Sequence, residues 1–489
     1  MAHDHEEMNV DERGPTPVQV AEYGATTNAE ENLKTRTTRN PQNWPSQRKW
    51  INVILVSAQA MLSATTSTIL AAGNLQIARQ FHLTSTYTPN LPVGMYVLGL
   101  AIGPLCLGPF SELYGRRMVY VISFLLFTIL NVGCATSPNI TALSILRLAS
   151  GACGSAGPTL GGASIGDMFT KADRGKTQAL YALGPTLGPV IGPLIGSFIV
   201  DRTHTWRWAM WVMVIASGLV TTCTILFLRE TYAPFLLRKQ ARQEGADGGV
   251  NVKSLFGEAI RRPFNLLLFS PICSIMSAYM ALIFGTIYLH LITLPLLYGP
   301  ESFYGLFSYR WQNGVTGLAY MGAGLGNIVG TFVCAKYMNR SYAYLNERQK
   351  RNSGNEDGKA ENRMFFLQIG MAVVPCGLVI FAWTAQTHQH WVLPLLGGAM
   401  CAVGVLMAFV CIQTYLVDVY GQYSASALAA MVASRTLPVP LFIYKFGPGL
   451  RAKDAKRFFD TEDAITNGST GTADPILQEG LQTPEEKSS

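Results

Sequence analysis

No Asp or Glu stands near the middle of any of the long apolar stretches that dominate this sequence. Charge is scarce overall, at 14% of 489 residues, against about 25% in a soluble chain. Length alone suggests about three soluble domains, but so little charge excludes them. No two of the nine cysteines form a CxxC pair and no histidine cluster accompanies them, which excludes a disulfide framework or a zinc site. The polar start, MAHDHEEMNV, has no apolar core and is no signal peptide. Phosphate-binding, metal and nucleophile motifs are missing from the polar segments, so no enzyme and no cofactor is expected. The net charge of +7 comes without a nucleic-acid motif, and basic residues are expected beside membrane spans.

What the sequence does have is apolar runs of about 20 residues, the length of a helix crossing about 30 Å of hydrocarbon. They are predicted at 50–72, 91–110, 118–137, 140–167, 177–200, 207–228, 264–290, 314–337, 364–386 and 391–416, with a weaker candidate at 423–446. The expected fold class is an all-α polytopic membrane protein with ten clear spans and one doubtful one. Charged islands set the domain boundaries: a disordered inner tail at 1–48, a six-helix bundle at 49–228 and a connector at 229–263. A second bundle follows at 264–446, incomplete at its end, then a polar tail at 447–489. The polar stretch 338–363 is expected to be flexible. With the N-terminus inside, the inner loops collect most of the Lys and Arg, and the outer loops hold only Arg79, Arg202, Arg207 and Arg310.

Three segments carry chemistry. GPFSELYGRR (108–117) places Glu112, Arg116 and Arg117 in a short turn after the second span. Such a cluster either latches one conformation or is an ordinary charged turn. LRLASGACGSAG (146–157) puts Arg147 within the fourth span, a functional position by default unless the side chain snorkels to the surface. The fifth span carries Gly184-Pro185, Gly188-Pro189 and Gly192-Pro193. Glycine every fourth residue gives a bare helix face, and the prolines remove backbone donors. A moving interface and a merely kinked helix both fit.

Together these segments resemble the signature motifs of the major facilitator superfamily, in particular its fungal twelve-helix drug:proton antiporter group. NPQNWPSQRKW (40–50), Gly166-Asp167 with Arg174-Gly175, Tyr415-Leu-Val-Asp418 and Ser426-Ala-Leu-Ala-Ala430 add to the resemblance. It implies two helical bundles around a central site opening alternately to each side. It implies that Arg147 takes part in proton coupling, that Glu112, Arg116, Arg117 and Asp167 form an inner charge relay, and that the fifth helix lets the bundles rock. A proton gradient would be the energy source. The expected cargo is a small amphipathic or cationic molecule such as a drug, toxin, secondary metabolite or polyamine. The partners are protons and the lipid bilayer; the expected form is a monomer in the plasma or vacuolar membrane. Polar and aromatic residues near span centres, Ser63, Thr66, Tyr279, Tyr288, Tyr320 and Gln413, are cavity candidates or packing residues.

The chain departs from that pattern near its end. Arg435 is followed at once by TLPVPLFIYKFG, which looks like the close of a twelfth helix. Roughly 35–40 residues are missing, judged from two spans of about 20 residues each. Segment 423–446 carries Arg435 centrally and prolines at 438 and 440. A central Arg costs about 2.5–3.5 kcal/mol on insertion scales, so the segment is expected not to cross and the tail to stay inside. Glycan addition at the acceptor Asn467-Gly-Ser469 would show the reverse. Two alternatives to an exporter follow: a truncated, non-transporting membrane protein, or an importer on the same fold.

Overall fold

The computed structural model describes residues 40–83, 90–243, 252–299, 307–353 and 360–437. The described residues are helical almost throughout, because long apolar runs in lipid must satisfy their backbone groups internally. The first half holds α1 (Ser46–Ile69), α2 (Leu91–Tyr114), α3 (Arg116–Thr136), α4 (Ile140–Gly154), α5 (Ala156–Met168), α6 (Lys171–Thr203) and α7 (Arg207–Phe227). The connector carries α8 (Ala233–Gln243) and α9 (Val252–Phe269). The second half holds α10 (Pro271–Tyr298), α11 (Met321–Ser353), α12 (Phe365–Gln386), α13 (Val392–Tyr420) and α14 (Ser424–Thr436).

Among the described residues nine helices are long and apolar enough to cross a membrane. The expected fourth span, 140–167, is instead two consecutive helices of 15 and 13 residues that meet at Ser155. Pro158 just beyond has no N–H to give the Gly154 carbonyl. Residues 40–48, expected in a disordered tail, are ordered. The Asn40 side chain accepts from the Gln42 amide at 3.0 Å, Pro41 is buried, and Lys49 donates to the Gln42 carbonyl at 2.7 Å. Of the stretch 338–363, expected to be flexible, α11 runs unbroken to Ser353 and a 3₁₀ turn covers Ala360–Met364, while 354–359 lie outside the described residues. Ala, Leu, Glu, Arg, Gln and Lys in 343–351 are strong helix formers, and polarity alone did not reveal it. The last part of the 423–446 candidate, from 438, and Asn467 lie outside the described residues.

Large apolar side chains such as Ile129, Leu219, Ile275 and Val379 point outward and are exposed, as lipid-facing positions should be. Inside, small residues bring backbones together. A Cβ on Gly151 of α4 would lie 2.1 Å from the Tyr96 carbonyl oxygen of α2, so only glycine permits that crossing.

The packing repeats between halves. In the first, α1 packs on α6, α2 on α4, and α3 on both α4 and α7. In the second, α10 packs on α14, α11 on α13, and α12 on α13. The two halves meet through α2 with α14 and α6 with α11. α7 has no counterpart in the second half among the described residues, which end at 437.

Candidate functional site

The glycine stripe of α6 faces α1. A Cβ on Gly184, Gly188 or Gly192 would lie 2.5–2.7 Å from the carbonyl oxygens of Ser57, Met61 and Thr65. The prolines point elsewhere, and Pro185 and Pro189 line a cavity between the halves. Pro193 has no N–H for the Pro189 carbonyl, and Thr68 Oγ1 of α1 donates to it instead at 3.4 Å. The helix is therefore close-packed along one side and released from its hydrogen-bond ladder along another.

Arg147 is fully buried, which removes the snorkelling alternative. Its Nη2 donates to the Thr66 carbonyl at 2.8 Å and its Nε to the Pro92 carbonyl at 3.3 Å. Helix α1 ends at Ile69, so carbonyls of its last turn have no helical donor, and the guanidinium supplies one. Its carbon lies 4.2 Å from the Tyr96 ring centre. No carboxylate pairs with Arg147 among the described residues.

At the face bearing the basic connector, α2 ends at Gly115, whose φ of +87° turns the chain into α3. The Arg116 Nε pairs with Asp167 Oδ2 at 3.2 Å and its Nη1 donates to Ser111 Oγ at 2.6 Å. The same guanidinium lies over the Tyr232 ring; burial pushes the Tyr232 phenol well up, so it stays neutral there. Glu112 turns the other way and crosses to the second half. Its Oε1 accepts from the Ser426 amide at 3.1 Å and the Ser426 hydroxyl at 2.9 Å, at the N-terminus of α14. Arg262 of α9 approaches its Oε2 at 3.5 Å. Arg117 lies outside this set, donating to the Ile225 carbonyl at 3.0 Å. Glu230, which the sequence reading passed over, caps the start of α3 by accepting from the Arg116 and Arg117 amides at 2.9 and 3.0 Å.

A second crossing lies nearby. Asp418 at the end of α13 accepts from Arg174 of α6 and from Arg363 just before α12. Asp418 and Arg363 are buried and Arg174 nearly so. Arg363 also donates to the Lys171 carbonyl. Arg174 and Asp418 stand in the motifs that carry the resemblance, whereas Arg363 closes the polar stretch 338–363 with no motif around it. One layer deeper, Gln178 of α6 donates to Gln413 of α13.

The cavity candidates divide. Tyr288 lines the central cavity with Phe284, Asn327 and His290. Gln413 is fully buried in the bridge to Gln178, and Tyr320 donates to the Leu291 carbonyl at 3.0 Å. Ser63 is spent on Tyr96, 3.3 Å between hydroxyls, and Thr66 on the Leu62 carbonyl at 2.8 Å. Tyr279 is partly buried against the core away from the cavity. The structure thus brings only Tyr288 to the cavity. His290 and Asn327 were missed because neither sits in a recognisable motif.

A family model described as Major Facilitator Superfamily matches residues 55–442. The chain belongs to that superfamily. This superfamily member is 37% identical over 409 residues to the MFS-type transporter atr4 of Stereocaulon alpinum, covering 81% of this chain and 71% of the relative. It is 36% identical to the efflux pump radE of Floropilus chiversii, covering 82% and 75%. In fold it is similar to the MFS proton:xylose symporter XylE bound to 6-bromo-6-deoxy-D-glucose, with a TM-score of 0.61 at 16% identity and coverage of 84% and 90%. The superfamily chain is accordingly an integral membrane protein of transporter type, not an enzyme.

Proposed function

We propose that this chain is built as a proton-coupled exporter of small amphipathic molecules that works by alternating access. The observation that carries this reading is the pair of crossings at the inner face. Glu112 reaches from the first half to the N-terminus of α14, and Arg174 reaches to Asp418 in the second. A carboxylate at a helix N-terminus is held by the partial positive charge there. Protonating Glu112 removes the charge that holds its crossing, so proton binding and inner opening share a group. The α6 stripe supports the moving part of the reading: α1 and α6 stay together through their glycines while the loosened proline side faces the cleft. Export rather than import rests on the α6 motif and on relatives such as the one named an efflux pump. The proton gradient is the energy source, no cofactor is needed, and the plasma membrane is the proposed site of a monomer.

A second reading has its own observation. Helix α14 has 13 residues, about 20 Å at 1.5 Å per residue, short of the membrane thickness. Among the described residues the second half shows no partner for α12 like the one α7 gives α3. We therefore propose that this chain itself transports weakly, and that an otherwise identical chain carrying the missing segment of a relative transports well. Retention of a fluorescent amphiphile by cells expressing each version tests both readings. The restored chain should lower retention and a protonophore should reverse this. Equal retention with and without the restored chain refutes export.

A further inference from the structure

Arg435, near the end of α14, is 3% exposed and has no ion pair among the described residues. Its guanidinium carbon lies 4.2 Å from the Phe284 ring centre and 5.0 Å from that of Phe409. The rings contact the cation, yet the Nε and Nη1 donors are buried with no acceptor. Ring faces satisfy the charge of a guanidinium but not its N–H fork, whose planar geometry matches a carboxylate. The ionisable groups within its electrostatic reach are two phenols, Tyr181 of the first half and Tyr288 of the second.

The place matters as much as the missing partner. Helix α14 packs on α2 and α5 of the first half and on α10 and α13 of the second, so Arg435 lies at the seam that must open. Phe284, against which it packs, and Tyr288 both line the central cavity. The rest of that lining is mostly apolar, with Pro189, Ile287, Leu291 and Val405. Arg435 is not itself part of that lining and meets the cavity through the Phe284 ring it packs on; a buried donor fork one side chain away from an apolar cavity matches a molecule with an apolar body and one anionic end.

Resting on the transport reading above, we propose that Arg435 anchors the carboxylate of an amphipathic acid whose apolar body occupies the cavity lined by Phe284 and Tyr288. The cationic cargo among the sequence expectations is the charge this site rejects.

The test is binding to the full chain in lipid nanodiscs, with empty nanodiscs as the blank for lipid partitioning. The probes are 1-pyrenebutyrate, its primary amide and a pyrenebutyl-trimethylammonium. A charge-assisted hydrogen-bonded pair predicts carboxylate binding at least about tenfold tighter than the amide, with the ammonium weakest. Arg435→Gln removes the difference and Arg435→Lys keeps part of it. Equal affinities, an ammonium that binds best, a preference that survives Arg435→Gln, or no binding by any probe overturns the proposal. Should Arg435→Gln not fold, the three probes on the unaltered chain still decide. Export by the restored chain without carboxylate preference sinks this inference alone; carboxylate binding without any export sinks the transport reading alone.

Discussion

Arg147 and Glu230 were unequally readable at the scale of single residues. An Arg inside an apolar run is visible to anyone reading the sequence, because an intramembrane charge needs a reason. Its partners were hidden: the Thr66 carbonyl lacks a helical donor because α1 ends nearby, and the Pro92 carbonyl belongs to another helix altogether. Arg147→Ala removes donors from two buried carbonyls and leaves space beside Tyr96. The expected outcome is a protein that still reaches the membrane but whose efflux no longer follows the proton gradient; near-normal coupled efflux would return Arg147 to a packing role. Glu230 caps α3 with two hydrogen bonds from amides, yet it sits in a stretch that reads as ordinary connector. The charge cluster was expected as one relay, and Arg116 does lie within electrostatic reach of both Asp167 and Glu112. Arg116 and Asp167 pair within the first half, Glu112 crosses to the second, and Arg117 stands apart. Arg116→Asp should impair turnover strongly, and Arg116→Asp with Asp167→Arg should recover part of it. Removing one partner of a buried pair costs about 3–5 kcal/mol, so the single variant should also melt at lower temperature. Purely additive effects on turnover would mean that the two groups are not coupled.

At the scale of elements, helix α6 was the most legible. Glycine at every fourth position predicted a bare face, and the structure sets that face on α1. The sequence left open whether the prolines serve motion or only bend the helix; placing Pro185 and Pro189 at the cavity gives the first reading its geometry. Gly188→Leu would put a side chain where even a Cβ lies 2.5 Å from the Ala64 methyl. Overpacking of this kind costs about 1–3 kcal/mol; α1 and α6 should separate, with a lower melting temperature in detergent and loss of transport. Gly218→Ala, where a Cβ meets only Thr128 at 3.9 Å, should leave both unchanged. Helices α11 and α5 were less legible. The polar end of α11 resembled a loop because its residues are charged, and the break at Ser155 shows no apolarity change. Hydropathy records where a chain can sit in lipid, not where its backbone ladder pauses.

At the scale of the whole molecule, apolar run length gave the polytopic helical class, and basic loops gave an orientation. The repeat of packing partners between halves was not readable, because it lies in which small residues meet across chains of unlike sequence. The departure expected near Arg435 rests on the resemblance alone, and residues from 438 onward lie outside those described. The crossings at Glu112 and Asp418 come from residues more than 240 positions apart, Arg174 with Asp418 and Glu112 with Ser426, a separation that local reading does not reach. Proton coupling through this face is the central claim. Its most direct test is export into or out of proteoliposomes containing the restored chain, with a pH gradient imposed in either direction and in neither. Export should follow the gradient, reverse with it, stop when a protonophore collapses it, and lose that dependence in Glu112→Gln. Export that proceeds at one rate whatever the gradient would contradict the account.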